Sequence, residues 1–256
     1  TAPTLARPAA GSQIYAVHVT SITVNWNALP QSPPEASSMT AEGYILQASL
    51  QADFNPVLAS SISYGAALST LSIVGLDGGY TYFFRVGTLN WAHLPKFAVT
   101  MAQELPAILG VSIDNSAWAM GMVLKGSVHA MAPGNVINVV NTGNVGQTYR
   151  LNLVGEPNAT WSSTAGNPAP EAYRFSAIFS DGPAPEADWF VPPDDAVLTS
   201  GQPAGASAYA HDGEGDAAKG FGVPAGSPRK LWLKFEAPTE TGISTAQSIV
   251  VRLTAQ

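Results

Sequence analysis

The sequence predicts an all-β chain made of two tandem β-sandwich (immunoglobulin-like) domains. Three observations predict it. Short runs rich in Val, Ile, Thr, Tyr and Phe alternate apolar with polar residues, the period of a half-buried strand. Turn formers punctuate these runs throughout, with 24 Gly and 20 Pro in 256 residues. No long stretch keeps a helical period. A single sandwich of this kind takes about 100 residues, so the chain has room for two. The divisions read from composition are an extended segment at 1–11, a first sandwich at 12–104 and a second at 105–256.

In the first half, residues 21–27 alternate, with Ile22, Val24 and Trp26 on one face and Thr23, Asn25 and Asn27 on the other. Further strands fall at 43–50, 69–74 and 81–89. The Pro-rich stretch 30–36 is excluded from a strand interior and reads as a loop. In the second half, 135–141 and 147–154 alternate on either side of Thr142-Gly143-Asn144, which reads as two strands joined by a hairpin turn. Residues 174–179, 230–235 and 248–255 complete the set. The last run places Ile249, Val251 and Leu253 on one face. The Pro/Ala/Gly/Asp-rich span 181–219 reads as a long, solvent-facing loop excursion.

Charge is the anomaly. Only 11% of residues are charged, against about 25% in ordinary soluble proteins. Such a surface is either adhesive or covered. The charges of residues 1–105 are Arg7, Arg85, Lys96, Glu35, Glu42, Asp53, Asp77 and Glu104, and all the others follow them. The first half and its N-terminal segment are therefore the least charged, and are expected to carry much of any subunit contact. The net charge of −7 argues against a nucleic-acid partner, because phosphate binding needs clustered Lys and Arg. No apolar run approaches the roughly 20 residues of a membrane span. The absence of cysteine removes disulfides, thiolate metal sites and cysteine nucleophiles.

The residues from Leu76 to Tyr82 (LDGGYTY) and the tryptophan Trp26 carry a resemblance. Over roughly residues 9–103 the chain resembles a fibronectin type III domain, and the run from Tyr82 to Trp91 looks most like bacterial surface versions of it. The resemblance implies that Tyr82 is a corner tyrosine whose phenol bonds back to upstream backbone. The runs NVINVVNTGNVGQTYRLNL, VPAGSPRKLWLKFEAPT and QSIVVRLTA, with Trp161 after the first, resemble the C-terminal β-sandwich of uncharacterised secreted bacterial surface proteins. The N-T-G-N turn with a terminal strand is loosely similar to camelysin-type biofilm fibre proteins. Neither resemblance implies a catalytic motif.

No serine elbow, His-Glu-x-x-His pair or phosphate-binding glycine loop is present. His18, His93, His129 and His211 are isolated from one another, so no enzyme is expected. Asp212, Glu214 and Asp216 alternate in one acidic turn, which reads first as a solvated Gly/Asp loop and, as the alternative, as a Ca²⁺ site; Asp188, Asp194 and Asp195 lie in the same excursion. The turn lacks the glycine (Ala217) and the acid (Val223) of a full Ca²⁺ loop. No other cofactor is indicated. Trp91, Trp161, Trp189 and Tyr209 stand at strand ends or in loops and are candidates for a carbohydrate platform, while Trp26, Trp118 and Trp232 are assigned to the cores. Asn158-Ala159-Thr160 is an N-glycosylation triplet in an expected turn.

Sandwiches expose edge strands with unpaired peptide groups, normally guarded by charge, and this chain has little charge to spare. The segment 1–11 contains Thr4, Leu5 and Ala6 between Pro3 and Pro8. It suits an added edge strand with Leu5 as anchor. The expectation is an extracellular or cell-surface structural protein, exported by a signal peptide since removed, that pairs with itself in a filament, pilus-like fibre or coat. The alternative is an adhesion or carbohydrate-binding module that meets surface glycans.

Overall fold

The computed structural model describes residues 14–29, 41–98, 101–180, 184–210 and 219–256. The chain divides into two compact units, Thr1–Ile108 and Leu109–Gln256. The Ca²⁺ triad Asp212, Glu214 and Asp216 and the assembly segment around Thr4, Leu5 and Ala6 lie outside the described residues.

The strands of the first unit are β1 (Ile14–Val17), β2 (Ser21–Asn25), β3 (Ala41–Ser49), β4 (Ala59–Ser63), β5 (Thr70–Val74), β6 (Thr81–Asn90), β7 (Pro95–Phe97) and β8 (Met101–Glu104). They form two sheets, β1-β2-β5 and β4-β3-β6-β7, with β8 extending the second through β6. This strand order is the fibronectin type III-like arrangement. Ile22, Val24 and Ile73 of the first sheet meet Tyr44, Leu46, Tyr82, Phe84 and Val86 of the second in one core. The Tyr82 hydroxyl accepts the Asp77 backbone N–H at 3.0 Å, closing the tyrosine corner. Trp26 packs on Tyr44 with ring centroids 4.9 Å apart. Tyr44 is a second pin: its hydroxyl accepts from Leu29 N–H at 2.8 Å and donates to Ala66 O at 2.9 Å. The β3–β6 register slips between Ala41 and Gly43. Gly43 is obligatory there, because a Cβ would sit 1.8 Å from the Ser63 carbonyl oxygen.

The strands of the second unit are β9 (Val111–Ile113), β10 (Val128–Ala130), β11 (Ile137–Asn141), β12 (Tyr149–Leu153), β13 (Ser162–Ser163), β14 (Ala172–Phe179), β15 (Gln202–Pro203), β16 (Pro228–Glu236) and β17 (Val251–Ala255). One sheet runs β13-β14-β16-β11-β9, with β10 also on β16; the other runs β15-β12-β17. Val139, Phe175, Leu231, Leu233 and Phe235 of the first pack against Tyr149, Leu151 and Leu153 of the second. The whole chain is thus all-β, two sandwiches in tandem.

Three expectations are corrected. β11 and β12 are not a hairpin: β11 pairs with β16 and β9, β12 with β15 and β17. The 142–146 turn is an arch that carries the chain between sheets. Its side chains explain why. Asn141 Nδ2 donates to Val145 O and Val223 O, both at 2.8 Å, and Gln147 Nε2 donates to Gly110 O at 2.7 Å. Two buried amides therefore replace the cross-strand bonds that a hairpin would have made.

The described part of the excursion, 184–210, is not a free solvent loop: it packs one side along β14, while residues such as Glu186, Asp188 and Val191 stay exposed. Val197 N–H bonds Phe175 O at 2.7 Å, Ala177 N–H bonds Asp195 O at 2.9 Å and Phe179 N–H bonds Tyr209 O at 2.9 Å. It seals the edge of β14, and Phe190, Asp195, Val197 and Tyr209 are buried by that contact. The third correction concerns Trp118, which is half-buried against the second core rather than within it.

Candidate functional site

The outstanding feature of the second unit is a cleft of about 950 Å³ between its two sheets. That is at the upper end of the 300–1,000 Å³ typical of ligand pockets. Its floor is the core itself, with Phe175, Phe235, Leu233 and Ile137 contributing. Trp161 lies over Phe235, ring centroids 6.5 Å apart and nearly parallel. One wall is the segment 115–125, the other 241–251, which runs into β17.

The first wall fails to become a strand for local reasons. Asn138 donates from its backbone and its amide to the Asp114 carboxylate, which pulls the Asp114 pKa down. Asn115 Oδ1 then accepts Ala117 N–H at 3.1 Å, an Asx turn. Gly121 and Gly126 take positive φ. Trp118, Met120 and Val123 turn inward onto the core, which leaves Met122 87% and Leu124 68% exposed at the rim. The second wall is clamped at one end. Glu171, at φ +55, accepts the Thr241 hydroxyl at 2.7 Å and the Gly242 N–H at 2.8 Å. Thr241 in turn accepts Trp161 Nε1–H at 2.8 Å. The Thr241 and Gly242 bonds hold the Glu171 pKa below the usual glutamate range.

The edges of this unit are treated unequally. β14 is sealed by the excursion, and β15 has two residues. β17 has five, and pairs only with β12. Residues 115–123 and 243–249 exchange no backbone hydrogen bond with any described residue. Side chains satisfy some of these peptide groups, namely Ala117 N–H, Ile243 N–H, Thr245 O and Ala246 O, but the walls form no backbone ladder beside the open, five-residue edge. Among the lining residues only Lys125 is charged. The sequence separates the two walls by over a hundred residues, and nothing in either run advertised that they would face each other.

The other candidate residues scatter. Trp91 is 70% exposed at the tip of the β6–β7 hairpin, where Asn90 Oδ1 accepts from Ala92 and Leu94 N–H. Nearby on the same hairpin, His93 Nε2 is 3.1 Å from Glu42 Oε2, and its ring meets exposed Tyr64 at 5.7 Å. Tyr209 is fully buried and is withdrawn as a platform residue. Trp161 and Trp189 are half-buried against the core. Asn158 caps a turn: its Oδ1 accepts Thr160 and Trp161 N–H, and its Nδ2 donates to Gln247 at 2.8 Å. Among the described residues no group of three His, Asp or Glu is placed to hold a metal, and no helix is long and apolar enough to cross a membrane.

A buried charge cluster lies on the outer face of β14 and β16. Arg174 makes a two-pronged contact to Glu236 through Nε and Nη2, the latter at 2.8 Å. Lys234 Nζ is 3.5 Å from Glu236 and 5.4 Å from the Phe190 ring centroid. Burial pushes the Lys234 pKa down against the pull of Glu236. The excursion covers this cluster, which makes it part of the fold rather than a reactive site.

No protein-family model matches the sequence, and no curated protein matches it. Solved structures similar in part include the following three. Chitinase ChiA74 from Bacillus thuringiensis shares 12% identity, with 92% of this chain and 27% of that one covered, at a TM-score of 0.24. The chicken CNTN1 FN1-FN3 domains share 12% over 97% of this chain and 66% of that one, at 0.29. The central fibronectin-III array of RIM-binding protein shares 9% over 99% and 68%, at 0.28. The chain spans about a quarter of the chitinase and about two thirds of each array. The fold is assigned here from strand order and core contacts.

Proposed function

We propose that this chain is an extracellular structural protein, a subunit that assembles with copies of itself into a filament, pilus-like fibre or surface coat through β-sandwich contacts. The observation that carries the reading is the cleft of the second unit. A folded monomer rarely leaves its core open beside an unguarded sheet edge, because apolar surface and unpaired peptide groups both favour association. The low charge of the chain agrees with surface that becomes covered. The likeness of the N-T-G-N turn and terminal strand to camelysin-type biofilm fibre proteins points the same way. The reading includes no catalytic step and no cofactor.

Negative-stain microscopy with size-exclusion light scattering of the full chain tests it. Regular polymers are expected, and dispersed 26.6 kDa particles at all concentrations would sink it. A second reading is favoured by Trp91, exposed at the β6–β7 hairpin tip two residues before His93, whose ring meets Tyr64 and Glu42. Such an aromatic face suits a pyranose ring. Glycan-array binding that disappears in Trp91→Ala would support a carbohydrate-binding role.

A further inference from the structure

The cleft has an occupant within the sequence. We propose that residues 1–11 of a second copy enter the cleft of the second unit as an extended strand beside β17, with Leu5 as the anchoring side chain. This rests on the assembly reading and gives it a specific contact.

Four observations converge. The first is backbone demand. β17 pairs on one side only, and its continuation 243–249 forms no backbone–backbone bond among the described residues, with side chains meeting only Ile243 N–H, Thr245 O and Ala246 O. An added strand meets that demand through main-chain bonds, and pockets between alternate side chains supply selectivity. The second is charge. The lining holds one charged residue, Lys125, and the segment TAPTLARPAAG holds one charged side chain, Arg7. Desolvating such a pair of surfaces costs little, whereas a charged peptide would pay heavily on an apolar floor. The third is shape. The segment consists mostly of Ala, Pro, Thr and Gly with a single large apolar side chain, Leu5. An apolar floor that includes Trp161, Phe175 and Phe235 suits one such anchor, and the small flanking residues let the backbone approach the walls. The fourth is one-sided pairing. Pro3 and Pro8 lack an N–H and stand at opposite parity, so a strand beside β17 can turn only one of them away from it; the ladder is therefore short, with Pro3 facing outward, residues 4–7 paired and the pairing ended before Pro8.

A donor segment at 1–11 and an acceptor cleft in the second unit are different parts of the chain, so their contact between copies is heterologous. Where its rotation does not close, that contact propagates into a fibre. The site is thus an acceptor for polypeptide, not a pocket for a small metabolite.

The test uses the full chain, a Leu5→Glu variant and a variant lacking residues 1–11. Both changes fall before β1 in the sequence. The synthetic peptide TAPTLARPAAG is added in trans to the truncated chain. Trp118 and Trp161 line the cleft, so their fluorescence reports entry of the peptide. The full chain should form polymers, and both variants should stay monomeric with unchanged thermal unfolding. The peptide should shift tryptophan emission of the truncated chain, with at least roughly tenfold weaker binding when it carries Leu5→Glu. A photo-crosslinker at position 5, in a mixture of light and heavy isotope-labelled copies, should join position 5 of one copy to residues 118–123 or 244–251 of another. Polymers that persist in both variants overturn the donor assignment and leave the assembly reading standing. Crosslinks confined within one copy overturn the intermolecular contact. A full chain that never polymerises overturns both.

Discussion

At the scale of single residues, two buried polar contacts govern stability. Tyr82 accepts the Asp77 N–H and otherwise lies in the core. Tyr82→Phe keeps the ring and removes the bond. It should cost about 0.5–1.5 kcal/mol, read as a lower urea midpoint for the transition of the first unit and an unchanged one for the second. The Glu236 carboxylate is the more consequential case. Burial pushes its pKa up, but the bonds from Arg174 and the charges of Lys234 and Arg174 outweigh burial and set the net direction downward. A carboxyl whose folded-state pKa is depressed contributes stability above its unfolded value, near 4.3, and loses it as pH falls through the folded value. Glu236→Gln leaves two buried cations without their acid and should destabilise by roughly 3–5 kcal/mol. Melting temperatures between pH 7 and pH 2.5 should fall less steeply in this variant than in the parent. Equal slopes would show that the pair does not govern acid unfolding.

At the scale of elements, the contrast between β14 and β17 matters most. Both belong to the second sandwich, yet one edge is sealed by 195–209 and the other is open. The clamp of Glu171 on Thr241 and Gly242 fixes the entrance to the open edge. Thr241→Val should release Trp161 Nε1–H and the Glu171 carboxylate together, and hydrogen exchange at the Gly242 and Ile243 amides should accelerate severalfold while β16 amides stay protected. The Glu171 pKa is also depressed, so in the parent the same acceleration is expected below the usual glutamate range as the carboxylate protonates. Sequence reading placed four of the eight described strands of the first unit and five of the nine of the second, and it misjudged the arch at 142–146, because alternation reports burial of one face and not the identity of the partner strand. The buried amides Asn141 and Gln147 were the signal that could have shown it.

At the scale of the whole molecule, sparse charge and an open apolar cleft lead to one expectation. Contacts that involve few charges are weakly screened. Growth of polymers, followed by light scattering, should change by less than about twofold between 0.05 and 0.5 M NaCl. A steep fall with salt would mean that ion pairs, and not apolar insertion, hold the subunits together. The acidic residues of the second half do not act as a uniform solvated fringe, since Asp195 is buried beneath the edge-sealing excursion.

The all-β class, the division into sandwiches and the tyrosine corner were legible in the sequence alone. Each depends on local period or local spacing, quantities that a linear chain carries. Tertiary structure alone decided the cleft, the open edge of β17, the sealing of β14 and the burial of Tyr209. These arise where residues such as Trp118, Trp161 and Ile249 meet across long separations. Which strand lies beside which is set by competition among all edges for partners, and no single run records its outcome.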